Sequence, residues 1–114
     1  MDANLHGKLI DLDQWGDAKV IEAEGPVDGI ESSILMVRDG DQVLAYLNTC
    51  PHAGRRLDWA PGQFLVSKEG HLVCAAHGAS FEMAHGECIA GPCRGQSLLN
   101  VPVEVRDGAV WLKD

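Results

Sequence analysis

The sequence predicts an all-β fold of antiparallel strands, and three observations carry that prediction. Val101, Val103 and Val105 alternate with Pro102, Glu104 and Arg106, and Asp107-Gly108 then turns the chain into the apolar run from Ala109 to Leu112. A period-two pattern that meets Asp-Gly is the signature of a hairpin with one buried face. Ser33 to Arg38 and Gln42 to Leu47 are two runs rich in Ile, Leu and Val on either side of Asp39-Gly40-Asp41, which reads as a second hairpin. Helical periodicity is almost absent, and 13 glycines in 114 residues reserve much of the chain for turns and loops.

Taken in order, Gly7 to Val27 is the least informative part. Lys8-Leu9-Ile10-Asp11-Leu12 alternates weakly, and Trp15-Gly16 and Glu24-Gly25-Pro26 mark turns, so the segment is expected to be an edge strand and a loop lying across the main domain. His6 reads as a solvated surface group. The hairpin at 33–47 follows, and its second strand leads through Asn48-Thr49 directly into Cys50-Pro51-His52. Gly70 to Ala75 and Ser80 to Met83 read as short strands on either side of a second loop, Cys74-Ala75-Ala76-His77. The hairpin at 101–112 closes the sheet.

Those two loops concentrate the chemistry of the chain. Each offers one thiolate and one imidazole within a single turn of backbone, close enough to bind one metal ion or one edge of a cluster. Each is followed by a glycine, Gly54 or Gly78, and a residue without a Cβ lets the backbone fold tightly and turn N–H groups toward a buried anionic sulfur. A tetrahedral zinc site could use the same four side chains, although zinc fingers usually pair Cys with Cys and His with His.

In the order Cys50-Pro51-His52-Ala53-Gly54, a gap, and Cys74-Ala75-Ala76-His77-Gly78, with Leu57 and Gly91-Pro92 in register, the chain resembles the Rieske family from about Leu35 to Leu112. The resemblance implies Rieske-like antiparallel sheets with two cluster-binding loops at strand tips and one 2Fe-2S cluster per chain. It further implies that Cys50 and Cys74 share one iron while His52 and His77 share the other. Gly91-Pro92 would be the family's proline loop, which covers the cluster from a third side and keeps water off it. His71 and His85 fall outside the ligand spacing and read as non-ligands. Leu57 would shield the cluster while Arg55 and Arg56 offer contact points to a partner; the plainer reading is an ordinary charged loop. Between His52 and Cys74 lie 21 residues, a longer gap than the short ferredoxins of the family have. Trp59, Pro61, Gly62 and Phe64 in the inserted stretch, Asp58 to Lys68, suggest a packed loop that either shapes a partner surface or stiffens the base of the site.

The ligand set also indicates what such a site does. Two ferric ions, two sulfides, two thiolates and two neutral imidazoles sum to zero charge, so reduction adds a single negative charge, whereas an all-Cys site would start two units more negative. A mixed-ligand cluster therefore accepts an electron at a higher potential than a plant-type ferredoxin, in a class range of roughly −150 to +300 mV. Imidazole can lose a proton, which makes the potential pH-dependent at high pH. High-potential respiratory relatives carry an extra Cys in each loop, where this chain has Arg55 and Ala76, and hydroxyl donors where it has Ala79 and Phe81. Fewer donors to sulfur places the potential near the bottom of the class. The sequence offers no nucleophile and base at telling spacing, no phosphate-binding loop and no two-His, one-carboxylate iron motif. A non-enzymatic one-electron carrier between a reductase and an oxygenase is the expected function. A small Rieske-like subunit held in a larger oxidoreductase, as in nitrite reductases, and an iron or redox sensor are the alternatives.

Composition frames these readings. The 114 residues are expected to form one domain, 1–114, burying about two-thirds of their unfolded surface, with the cluster adding stability through its metal bonds. A net charge of −8, from 17 acids and 9 bases, argues against nucleic acid or an anionic membrane as partner. It suits a basic docking surface on another protein, or serves solubility alone. Neither a signal peptide nor a membrane-spanning run is visible, so a cytoplasmic location is expected; when free, the protein is expected to be a monomer. In that compartment Cys88 and Cys93 read as reduced thiols, while their closeness leaves a disulfide open.

Overall fold

The computed structural model describes residues 5–51, 54–75 and 78–113, with side chains from Gly7 onward. The side chain of His6 and the four residues His52, Ala53, Ala76 and His77 therefore lie outside what is described here. Ten strands follow one another: β1 (Leu5–Asp11), β2 (Val20–Val27), β3 (Ile30–Asp39), β4 (Gln42–Leu47), β5 (Leu65–Val66), β6 (Leu72–Val73), β7 (Ser80–Phe81), β8 (Cys88–Ala90), β9 (Val103–Arg106) and β10 (Ala109–Lys113). They form three antiparallel sheets of order β1-β10-β9, β2-β3-β4 and β5-β6-β7-β8. The only helix among the described residues is one 3-10 turn at Leu12–Gln14. The fold class expected from the sequence is the one observed.

The β2-β3-β4 sheet is buried on both faces, and strand alternation explains its uninterrupted apolar run. Ile34, Met36 and Ala45 point into one cluster, shared with Trp15, Val101, Val110 and Leu112 of the basal side. Leu35, Val37 and Tyr46 point the other way, into a cluster that contains Leu57, Leu72, Phe81, Leu98 and all four cysteines. One sheet thus divides two cores. Residues 99–101 fasten the layers: Leu47 N–H donates to Leu99 O at 2.9 Å and Val101 N–H to Ala45 O at 2.9 Å.

The hairpins predicted at 33–47 and 101–112 are present, with Asp39 paired to Gln42 and Ala109 to Arg106. Asp107 and Gly108 both take positive φ, 54° and 74°, the conformation that a two-residue turn of matching twist needs. The N-terminal expectation needs correction. Residues 20–27 are not a loop but an eight-residue strand, paired along its whole length with β3 from Val20 opposite Val37 to Val27 opposite Ile30. Gly25-Pro26 lies inside this strand, and the turn comes later, at Asp28 and Gly29 with φ of 52° and 80°. The edge position of β2 tolerates a proline, which cannot donate to a ladder. Gly25 is required by packing: a Cβ there would stand 3.0 Å from Leu9 Cδ2 and 3.1 Å from Leu112 Cδ1. The strand expected at Leu9 is β1, an edge strand paired to β10.

Candidate metal centre

Two loops leave strand tips, one after β4 and one after β6, and their backbones are closed in the same way. In the first, Cys50 N–H donates to Arg55 O at 2.6 Å and Gly54 N–H donates back to Cys50 O at 2.8 Å. In the second, Cys74 N–H donates to Ala79 O at 2.7 Å and Gly78 N–H to Cys74 O at 2.9 Å. The repeat therefore runs from Cys to the Gly four residues on, and the one-residue difference between the Cys-x-His and Cys-x-x-His spacings is absorbed inside it. Gly54 and Gly78 sit at φ of 68° and 74°, which a side chain would strain. Both cysteine side chains are buried.

Leu57 joins the loops. Its carbonyl accepts the Ala75 N–H at 3.2 Å, its N–H donates to Asn48 Oδ1 at 3.0 Å, and its side chain is fully buried. Asn48 is the one buried polar residue among those described, and its Nδ2 donates to Ser33 Oγ at 3.1 Å. Ser33 Oγ donates in turn to Glu22 Oε2, which also accepts from Arg56 Nη2 at 2.7 Å. Arg56 forks onto Asp58 as well, Nε to Oδ1 at 3.0 Å and Nη2 to Oδ2 at 2.7 Å, while Gly62 N–H donates to Asp58 Oδ2 at 3.1 Å. Burial alone would raise the Asp58 pKa, but the Arg56 and Gly62 hydrogen bonds outweigh it and hold the carboxyl below its ordinary range. The same carboxylates keep the Arg56 guanidinium firmly protonated.

This network was missed by sequence reasoning. Its one visible signal is a polar residue, Asn48, ending an apolar strand. Both arginines are exposed, and Arg56 is held to Glu22 and Asp58. The inserted stretch folds as a tight turn, Ala60 bridged to Gln63, followed by edge strand β5. Trp59 is 60% exposed beside Arg55 and Ala75 in a shallow depression near the loops.

A third loop approaches from 91–93. A Cβ on Gly91, whose φ is 99°, would stand 2.8 Å from Ala79 Cα, so this close approach to the second loop admits only glycine. Ala79 and Phe81 are fully buried and offer no hydroxyl. His71 lies in a turn, its N–H donating to Ser67 Oγ at 3.1 Å, and His85 is exposed with Nδ1 3.5 Å from Glu82. Of the four residues expected to bind metal, Cys50 and Cys74 are brought into the same apolar core; His52 and His77 lie outside the described residues. Two buried sulfurs on matching glycine-closed loops are a donor set that suits a cluster with thiolates on one side.

The family pattern described as the Rieske [2Fe-2S] domain matches residues 10–106. No curated protein sequence matches the chain. Among solved structures, the ferredoxin of carbazole 1,9a-dioxygenase from Nocardioides aromaticivorans IC177 is 27% identical, with 93% of this chain and 94% of that one covered and a TM-score of 0.72. The ferredoxin of Sphingomonas yanoikuyae B1 is 21% identical, with coverages of 97% and 99% and a TM-score of 0.68. A chain in a complex of reduced oxygenase and oxidized ferredoxin in carbazole 1,9a-dioxygenase is 23% identical, with coverages of 93% and 90% and a TM-score of 0.68. The last two likenesses, below a quarter identity, speak to the fold. A domain of this family binds one 2Fe-2S cluster per chain.

Proposed function

Since the chain belongs to the Rieske [2Fe-2S] domain family, we propose that it is a non-enzymatic one-electron carrier that passes electrons from a reductase to an oxygenase-type acceptor. Cys50, His52, Cys74 and His77 hold the cluster, thiolates on one iron and imidazoles on the other. When bound, the cluster supplies a one-electron couple in the class range of roughly −150 to +300 mV. The chain's own contribution is rigidity and dryness. Paired backbone bonds fix Cys50 and Cys74, Leu57 ties one loop to the other, and Asn48 anchors that tie to the central sheet. Ligands held this way change little between oxidation states, which favours fast transfer.

The observation that carries this reading is the matched pair of loops, each with a buried cysteine and a positive-φ glycine four residues on. An oxygenase as acceptor is supported by the likeness to the Nocardioides dioxygenase ferredoxin over nearly the full length of both chains. Residues 1–114 act as one cytoplasmic, monomeric unit in this reading. No helix among the described residues is long and apolar enough to cross a membrane.

Titration with a reductase tests the carrier role: rapid, reversible bleaching of the visible spectrum is expected, with a mixed-ligand electron paramagnetic resonance signal after dithionite. A colourless protein holding zinc would end it. Because Ala79 and Phe81 give the sulfurs no hydroxyl donor, a voltammetric midpoint near the low end of the range is expected, and one well above zero would contradict that. Exposed Trp59, Leu65 and Val66 on the inserted stretch favour a second reading, a subunit held permanently in a larger oxidoreductase. Co-purification in fixed stoichiometry would distinguish it.

A further inference from the structure

Two cysteines outside the ligand loops face each other. Cys88 opens β8 and Cys93 follows Gly91-Pro92, and Cys93 Sγ lies 2.7 Å from Cys88 Sγ, with both side chains 1% exposed. We propose that Cys88 and Cys93 are a redox-active pair that closes to an intramolecular disulfide and staples the proline loop to β8.

The backbone holds the pair in place. Cys88 N–H donates to Gln96 O at 2.8 Å and Gln96 N–H to Cys93 O at 2.9 Å, so the chain returns on itself and points both side chains into the same core. A disulfide bond is about 2.05 Å long, so closure asks the sulfurs to approach by about 0.7 Å, within the reach of side-chain rotation. The neighbourhood selects this pair. Cys93 interacts with Cys50 as well as Cys88, but Cys50 is committed to metal on the ligand assignment proposed above, which leaves Cys88 as the available partner.

Access comes from the loop itself. Cys93 is the one buried residue in the otherwise exposed run 91–97, so a local opening of that run uncovers it. In the closed state both thiols are buried, which keeps an external disulfide away from them until the loop opens. The oxidant is a low-molecular-weight disulfide such as oxidised glutathione. One protein thiolate attacks a sulfur of that disulfide, forming a mixed disulfide and releasing one small thiol; the second protein thiolate then attacks the protein-bound sulfur, forming the Cys88–Cys93 bond and releasing the other. The protein loses two electrons and two protons, and the two small thiols carry them away.

The test uses the iron-loaded full chain, incubated with millimolar oxidised glutathione, then denatured, alkylated and cleaved at glutamates. The peptide 88–104 contains Cys88 and Cys93 and no other cysteine. The expected result is that this peptide resists alkylation and is lighter by two hydrogens, that dithiothreitol restores both alkylation sites, and that Cys88→Ser abolishes the bridge. The oxidised form should melt several degrees higher. Full alkylation of 88–104 after this treatment, a glutathione adduct at Cys93 without a bridge, or a bridge to Cys50 would each overturn the proposal. Iron and sulfide content, measured separately, report the ligand assignment, so its failure is seen independently of the thiol result.

Discussion

Asn48 shows what a single side chain does here. Its amide bridges Leu57 N–H and Ser33 Oγ; Ser33 keeps Glu22 as a partner, but the fully buried Leu57 N–H has no substitute if Asn48 is removed. Asn48→Ala should therefore cost about 2 kcal/mol of stability, the usual consequence of leaving a buried donor unpaired, read as a lower urea midpoint at unchanged slope. Asp58 acts through charge. Its folded pKa is depressed, so its contribution is complete above the unfolded carboxyl value of about 4 and is lost as pH falls below that through the lower folded value. Wild-type protein should lose stability steeply between pH 5 and 3 in urea titrations. Asp58→Asn should be weaker at pH 5 and lose less over the same interval. Glu82, also depressed because hydrogen bonds from Glu87 and His85 outweigh its burial, should leave a residual slope in that variant.

Among the elements, β2 depends on a contact that no local pattern contains. Gly25 is glycine because Leu9 of β1 and Leu112 of β10 press on it from the facing sheet, at distances a Cβ would tighten to 3.0 and 3.1 Å. These neighbours are side-chain ends that can give a little, so Gly25→Ala should cost about 1 to 2 kcal/mol, measured by thermal or urea unfolding, and leave the visible spectrum of the loaded protein intact. The same contact explains why β2 was not legible: Gly25-Pro26 looks like a turn in sequence and is a strand in space. Where signals were local, the sequence was readable. The Ser33 to Arg38 run marked a strand of its hairpin, Asp107-Gly108 marked the last hairpin, and the paired Cys and Gly positions marked the two matching turns. Where partners lie far apart in sequence, it was not. Asn48 meets Ser33 and Leu57 only after folding, and β5 is two residues that become a strand because β6 lies beside them.

For the whole molecule, charge and core divide along the same line. Residues 48–99 hold four acids, Asp58, Glu69, Glu82 and Glu87, and four bases, Arg55, Arg56, Lys68 and Arg94, so the net charge of −8 sits entirely on the rest of the chain. A basic partner surface, expected from the total, would therefore meet the basal side, whereas the end with the ligand loops approaches a partner nearly neutral, with Arg55 and Arg94 exposed. The apolar cores divide likewise. Cys50 and Cys74 belong to the cluster with Leu57, Phe81 and Leu98, and the basal cluster of Trp15, Ile34, Met36, Val110 and Leu112 contains no cysteine. The loop side is built from strands of two or three residues, too short to hold themselves, so on the ligand assignment proposed above metal bonds would supply much of its stability. The basal strands of four to ten residues have their own core. Removing iron and sulfide by chelation should thus unfold one side before the other. In hydrogen exchange, the amides of Cys50, Gly54, Cys74 and Gly78 and those of β6 to β8 should lose protection in the apo-protein. The amides of β3, β4, β9 and β10 should keep most of theirs. Uniform loss across all ten strands would mean that the two cores fold as one unit.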